Sequence, residues 1–379
     1  MKRKIRVAVI FGGKSGEHEV SLASARSIMA AMDKDKYEIF PVGITKSGRW
    51  LTTGDPMALL SAGVDAPPEA EDEAEQALPN LEGGGDPDLL PRRELVPGLR
   101  QARFPVVDVV FPVLHGPYGE DGTIQGLLEI ADLPYVGAGV LGSALGMDKA
   151  AMKSVFKAHG LPVVEHMLVL RKAWAAHPER VLEEIEARFT YPLFLKPANL
   201  GSSVGVSKAH HREELVRGLN LAARFDRKIL VEAAVNAREV ECSVLGNDEP
   251  IASIPGEVVP CNEFYDYKAK YIDNASKLYI PADLPAETTK LVQELAVRAF
   301  VALDCAGMAR VDFFLCRDTG KLYLNELNTI PGFTSISMYP KLWEASGIPY
   351  PELIDRLIEL AIERYNDKHA SETSYGFDH

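Results

Sequence analysis

Cysteine is scarce. The four in 379 residues, Cys242, Cys261, Cys305 and Cys316, include no CxxC pair. That usage disfavours a zinc site or a disulfide framework and suits buried thiols of a reduced compartment, so a cytoplasmic protein is expected. Positive charge is short as well: 41 Lys and Arg stand against 54 Asp and Glu, a formal charge of −13. No basic stripe is present to meet the phosphates of a nucleic acid, although local clusters could still hold a polyphosphate. No run of about 18 apolar residues exists, which argues against a membrane span. The basic start, Met1 to Lys4, leads into only seven residues, Ile5 to Phe11, and then Gly12-Gly13 without a cleavage pattern. It reads as a first β-strand and not as a signal peptide. The familiar nucleotide signatures are also missing. Gly12-Gly13-Lys14-Ser15 has Ala8 where a P-loop requires glycine. Gly137-Ala138-Gly139-Val140-Leu141-Gly142 fits G-x-G-x-x-G but lies far from the first βα unit and runs into a helix-like stretch, the wrong context for a dinucleotide fold.

With 46% hydrophobic residues the chain can fill the cores of two or three domains. Ile5 to Phe11, a glycine turn and the helix-like Val20 to Met32 open a βα unit, followed by strands at Ile39 to Ile44 and Val106 to Val110. Between Asp65 and Asp88 lie nine acids, four prolines and no Lys or Arg, the composition of a mobile insertion spanning about 65–90. A second unit is expected from about 141 to 231, with a helix at Met147 to His159 and strands around Leu193 to Pro197 and Lys228 to Glu232. A third, 232–379, has a strand at Val240 to Leu245, a polar loop near 262–277 and a helix at Ala286 to Leu303.

The chemistry is concentrated in two places. In Met308 to Phe313, period two sends Arg310 and Asp312 to one face and Val311 and Phe313 to the other. The turn Arg317 to Gly320 reverses the chain. On the return strand Leu322, Leu324, Glu326 and Asn328 are expected to share a face, so two carboxylates and an amide meet beside a guanidinium. Hard oxygen donors of that kind suit Mg²⁺ bridged to phosphates; without other residues, the same hairpin could be a surface salt bridge. The second place is Lys196-Pro197-Ala198-Asn199-Leu200-Gly201-Ser202-Ser203-Val204-Gly205-Val206, a strand ending in lysine and a Gly/Ser loop whose N–H groups could fold over a triphosphate. Lys149 upstream, with Glu232 and Glu239 downstream, completes a nucleotide site of non-Walker design.

These residues resemble the ATP-grasp superfamily and, within it, the D-alanine–D-alanine ligases. The resemblance covers nearly the whole chain outside the acidic insertion and the tail after about Tyr365. It rests on Gly12 to Ser21, His115-Gly116-Pro117-Tyr118-Gly119-Glu120-Asp121-Gly122, the Lys196 to Val206 loop, Tyr265 to Tyr271 and Asn325 to Ser337. It implies three α/β domains, an N-terminal parallel-sheet domain (1–140) and two ATP-grasp domains (141–231 and 232–379), with ATP held between the last two. It also implies ligation of two D-alanines through a D-alanyl phosphate, two Mg²⁺ ions with Mn²⁺ as a substitute, and a homodimer. By the same resemblance Lys149, Lys196, Ser203 and Lys270 meet phosphates, Glu232 and the backbone near Val235 the adenine, and Glu239 the ribose. Asp312, Glu326 and Asn328 hold the metals, while Arg310 and the Gly332 N–H stabilise the oxyanion. Glu17 takes the first D-alanine's ammonium, His115 lies on the substrate side, and Ser337 with Met338 meets the second D-alanine's carboxylate. Ser202 and Tyr271 join Glu17 in closing the mobile loop. Ala233 follows Glu232 where some relatives carry lysine, which puts a side-chain adenine contact there in doubt. The alternatives are another ATP-grasp carboxylate–amine or D-alanine–D-lactate ligase, or a regulatory protein with a dead site.

Overall fold

The computed structural model describes residues 3–63, 106–259, 277–334 and 336–372. The acidic insertion and nearly all of the 262–277 loop, with Lys270 and Tyr271, lie outside the described residues.

The first sheet is ordered β3-β2-β1-β4, from β1 (Ile5–Gly12), β2 (Tyr37–Ile44), β3 (Trp50–Leu51) and β4 (Val109–Val113). β1 runs parallel to both β2 and β4, and only the short β3 is antiparallel. β1 is apolar on both faces because both are covered, as parallel strands require. Val7, Val9 and Phe11 enter one core with Ala25 and Ile28 of helix His18–Ala31; Ala8 and Ile10 enter another with Ile124 and Leu128. The first core is completed from the far end of the chain, where Leu353, Ile354, Leu357 and Ile358 of helix Tyr350–His369 pack against it. The strand expected at Val106 to Val110 is displaced to Val109–Val113, because Asp108 is bound at its mouth by the Arg6 N–H (2.8 Å) and guanidinium (2.9 Å).

The second sheet, β5-β8-β6-β7, is antiparallel throughout: β5 (His166–Leu170), β6 (Leu193–Pro197), β7 (Ser207–Ala209) and β8 (Lys228–Ala233). Leu193, Leu195, Ile229 and Val231 face helices Pro178–Arg188 and Arg212–Phe225. The alternate residues, Lys196 and Glu232 among them, point the other way. β8 continues to Ala233, so Glu232 belongs to this sheet and the chain leaves it through 234–236, slightly beyond the expected division at 231. The helix expected over Met147 to His159 is broken at Asp148, whose carboxylate accepts from the Ala150 and Ala151 N–H groups and caps a new helix, Lys149–Ala158.

The third sheet is ordered β12-β11-β9-β13-β14, with β10 beside β9. Its strands are β9 (Ala237–Gly246), β10 (Ile251–Ala252), β11 (Gly256–Val259), β12 (Lys277–Tyr279), β13 (Gly307–Cys316) and β14 (Leu322–Asn328). Val240, Cys242 and Val244 of β9 join Ala309, Val311 and Phe313 of β13 against helix Ala286–Ala302. Their neighbours on the opposite face, Glu239, Glu241, Arg310 and Asp312, are left for the cleft.

Candidate active site

β13 and β14 form the expected hairpin, closed at Cys316 to Lys321 with Gly320 at φ +67°. One expectation fails. Leu322 and Leu324 do not share a face with Glu326 and Asn328, because the register shifts between Asp312 and Phe313: Asp312 pairs with Glu326, but Phe313 pairs with Leu324. Asn325 is the extra residue of a β-bulge, and one extra residue reverses the faces beyond it. Leu322, Leu324 and Leu327 therefore all reach the core, while Glu326 and Asn328 turn to the cleft beside Arg310 and Asp312.

Charge is tightly arranged there. Arg310 Nε and Nη2 donate to the two Asp312 oxygens at 2.7 Å each, and Nε lies 3.0 Å from Glu241. These acids outweigh the burial of Arg310 and raise its pKa well above the usual value. Asn328 Nδ2 donates to Asp312 Oδ2 at 3.1 Å, and Lys149 Nζ lies 3.2 Å from Glu326. Facing this hairpin, Glu232 is 2% exposed and held by two lysines, Lys153 Nζ at 2.8 Å and Lys196 Nζ at 2.6 Å. Burial pushes the Glu232 carboxyl up, but the two ammonium groups prevail and hold it at about 2. Lys153, 1% exposed, also donates to Asn325 O at 3.0 Å, and Lys196 to Asn325 Oδ1 at 3.3 Å, so the bulge is tied to the second sheet.

The loop after β6 crosses to the first sheet. Ser202 and Ser203 adopt φ of +51° and +58°, left-handed conformations that non-glycine residues hold only where their surroundings enforce them. Ser202 Oγ donates to Glu17 Oε1 across 185 residues. Glu17 occupies the N-cap position of helix His18–Ala31 yet makes no side-chain cap bond. Its carboxylate lies instead against two glycines: a Cβ at Gly116 or Gly201 would come within 2.8 or 3.1 Å of Glu17 Oε2. Lys149 Nζ donates to Leu200 O at 3.0 Å, anchoring the same loop over the hairpin. The Glu17 carboxylate, the cations Lys149, Lys196 and Arg310, and the oxygen-bearing side chains Asp312, Glu326 and Asn328 thus converge in one cleft.

The chain matches two family models, D-ala D-ala ligase N-terminus over residues 6–138 and D-ala D-ala ligase C-terminus over residues 155–359. It is 55% identical to the D-alanine–D-alanine ligase of Ruminiclostridium cellulolyticum, across 96% of this chain and 97% of that one. The chain belongs to the D-ala D-ala ligase family. The Caldicellulosiruptor bescii D-alanine–D-alanine ligase is 52% identical over 96% of this chain and 97% of its own. Among solved structures, the D-alanine–D-alanine ligase of Coxiella burnetii superposes with a TM-score of 0.77 at 38% identity, covering 97% of this chain and 96% of that one. VanG D-Ala:D-Ser ligase of Enterococcus faecalis gives 0.78 at 37% identity, covering 95% and 100%. The fold is therefore ATP-grasp, and membership of the D-ala D-ala ligase family implies the use of ATP and a divalent metal.

Within this ligase scaffold most of the expected site residues converge, and Tyr271 and Lys270 lie outside the described residues. Both oxygens of Glu232 are already paired with lysines, so in this structure its carboxylate does not stand open to an adenine. His115 is 5% exposed with both ring nitrogens engaged, Nδ1 by Ile330 O (3.0 Å) and Nε2 by Ser24 Oγ (3.2 Å). Ser337 Oγ accepts from the Thr334 N–H at 2.9 Å, and Met338 begins the helix that follows. For the metal, the donors fit: Asp312, Glu326 and Asn328 are oxygen-bearing and adjacent across the ladder. Among the described residues no group of three or more His, Cys, Asp or Glu is set for a metal; two carboxylates and an amide would need waters and substrate phosphates to complete a coordination shell. Sequence reasoning missed Lys153 and Glu241. Lys153 sits one helical turn after Lys149, and Glu241 shares a strand face with Glu239, so spacing could have found both.

Proposed function

We propose that the chain joins two D-alanines into D-alanyl-D-alanine with conversion of ATP to ADP and phosphate, supplying a precursor of peptidoglycan in the cytoplasm. The observation that carries this reading is the Ser202–Glu17 bond, which brings an ammonium-binding acid and a phosphate loop together over the Lys149, Lys196 and Arg310 cations.

ATP lies between the second and third sheets, its adenine by the backbone near Val235 and by Glu232 once the phosphates have drawn Lys196 from that carboxylate, its ribose by Glu239. Lys149, Lys196 and Ser203 receive the phosphates, and Lys270 the one transferred. When phosphates draw Lys196 away, Glu232 keeps Lys153, so no buried charge is left unpaired. Glu17 holds the first D-alanine by its ammonium and leaves its carboxylate to attack the terminal phosphate. A carboxylate is a poor electrophile, and the resulting D-alanyl phosphate is a good one. Ser337 and the Met338 N–H orient the second D-alanine by its carboxylate, and its free amine attacks the acyl carbon. Arg310 and the Gly332 N–H neutralise the oxyanion of the tetrahedral intermediate until phosphate leaves. Asp312, Glu326 and Asn328 would hold two divalent ions, Mg²⁺ or Mn²⁺, whose charge screens the transferring phosphate. Ser202 and Tyr271 close the loop and keep water from the acyl phosphate. The active species is a homodimer, which sedimentation checks.

The test is phosphate release from ATP with D-alanine as the only amino acid, and chromatographic identification of the product. Dipeptide stoichiometric with phosphate is expected. If L-alanine, D-serine or D-lactate as second substrate gave more product, the assignment to D-alanine would be wrong.

A further inference from the structure

The backbone of Ile330 to Phe333 is held from outside its own sheet. His115 Nδ1–H donates to Ile330 O at 3.0 Å. The Phe333 N–H donates to Ser24 Oγ at 3.2 Å, and Tyr350 Oη donates to Phe333 O at 2.9 Å. Two of these three holders come from the N-terminal unit: Ser24 is on helix His18–Ala31, and His115 is on the loop after β4. Ser24, fully buried, also links two of the anchors, its Oγ lying 3.2 Å from His115 Nε2. One proton arrangement satisfies them all. With the ring proton on Nδ1, facing Ile330 O, Nε2 is an acceptor. The Ser24 hydroxyl then donates to it and keeps a lone pair for the Phe333 N–H. Between the anchors lies Gly332, whose N–H has no assigned partner among the described residues.

We propose that Ser24 is a positioning residue for the ligation step: it locks the His115 ring to the Phe333 backbone and so fixes where the Gly332 N–H stands in the cleft. This rests on the reading that the Gly332 N–H meets the oxyanion. Ser24 itself touches no substrate, but a donor displaced by about 1 Å forfeits on the order of a hundredfold in rate.

The experiment uses the full chain. Ser24→Ala is expected to lower kcat for dipeptide formation about 10- to 100-fold, while KM for ATP stays within about twofold, because nothing in the nucleotide cleft has changed. His115→Asn retains a nitrogen near the Nδ1 position and loses the acceptor for Ser24, so it should show the same loss confined to kcat. Both variants cut one connection, so the double variant should lose no more than the worse single one. Wild-type kcat in Ser24→Ala overturns the proposal, as do additive losses or a defect that appears chiefly in KM for ATP. If Ser24→Ala does not fold, His115→Asn decides by the same split between kcat and KM. Absence of dipeptide from the wild-type chain is a different result: it overturns the functional reading itself.

Discussion

Lys149 and Lys153 differ by one helical turn and by what surrounds them. Lys149 is 13% exposed and pairs with Glu326 at the cleft, whereas Lys153 is 1% exposed and pairs with Glu232, itself 2% exposed. Removing one partner of a buried pair leaves an uncompensated charge, which costs about 3 to 5 kcal/mol. Lys196 still reaches Glu232, so the lower end applies. Lys153→Met should therefore lose about 3 kcal/mol in denaturant unfolding, while Lys149→Met should lose far less and instead raise KM for ATP; equal stability losses would contradict this division. Glu120 offers a pH test. Burial and the neighbouring Glu17 charge push its carboxyl from 4.5 up to about 8, against the Gly116 and Ile330 N–H groups. A carboxyl whose folded-state pKa lies above its unfolded value favours the fold fully below the unfolded value, and that contribution fades as the pH climbs from 4.5 through about 8. His115, lowered by burial, acts with the opposite sign and only at acid pH, below its ordinary 6.5. Between pH 6.5 and 8 the thermal midpoint of the wild type should consequently fall relative to that of Glu120→Gln; parallel curves over that window would show that Glu120 does not titrate there.

The elements show why some of this could be read from sequence and some could not. Alternation alone placed Arg310 and Asp312 together, since β13 is regular from Gly307 to Cys316. Alternation misled on β14, because a bulge leaves no mark in a single strand's pattern; it exists only relative to its partner's register. The opening βα unit, the Gly/Ser loop and the lysine at the end of β6 were legible from local composition, and the parallel N-terminal sheet from the family resemblance. The Glu232 pairing, the Ser24–His115 link and the helix Tyr350–His369 that completes the first core join residues far apart in the chain, and no local period encodes them. The bulge also supplies a sharp prediction. Deleting Asn325 restores plain alternation, which would turn Glu326 and Asn328 into the layer of Leu322 and Leu324, or else expel those leucines. Burying unpaired acids or exposing that core is untenable either way, so the deletion should abolish cooperative unfolding in calorimetry. Asn325→Ala, which keeps the count, should fold and lose only the Lys196 contact. A folded, active deletion variant would mean that the register can slip without harm.

At the scale of the whole molecule, three sheets contribute to one cleft, and the bond between Glu17 and Ser202 joins the first to the loop of the second. Its removal should not prevent ATP from reaching Lys149 and Lys196, which have their own anchors at Glu326, Leu200 O and Glu232. What it should weaken is closure. An acyl phosphate in a site that opens too early meets water before it meets the second amine, and hydrolysis then returns D-alanine and phosphate without peptide. The expected signature of Ser202→Ala is therefore a change in stoichiometry as well as rate. Phosphate released per dipeptide should rise above the one-to-one ratio expected of the wild type, most clearly at low D-alanine, where the second amine arrives late. Raising D-alanine should restore part of the coupling, because a filled second site leaves less time for water. Parallel measurement of phosphate and dipeptide over a D-alanine titration decides it: a ratio that stays at one while both rates fall would assign Ser202 to substrate binding alone and leave closure to other contacts.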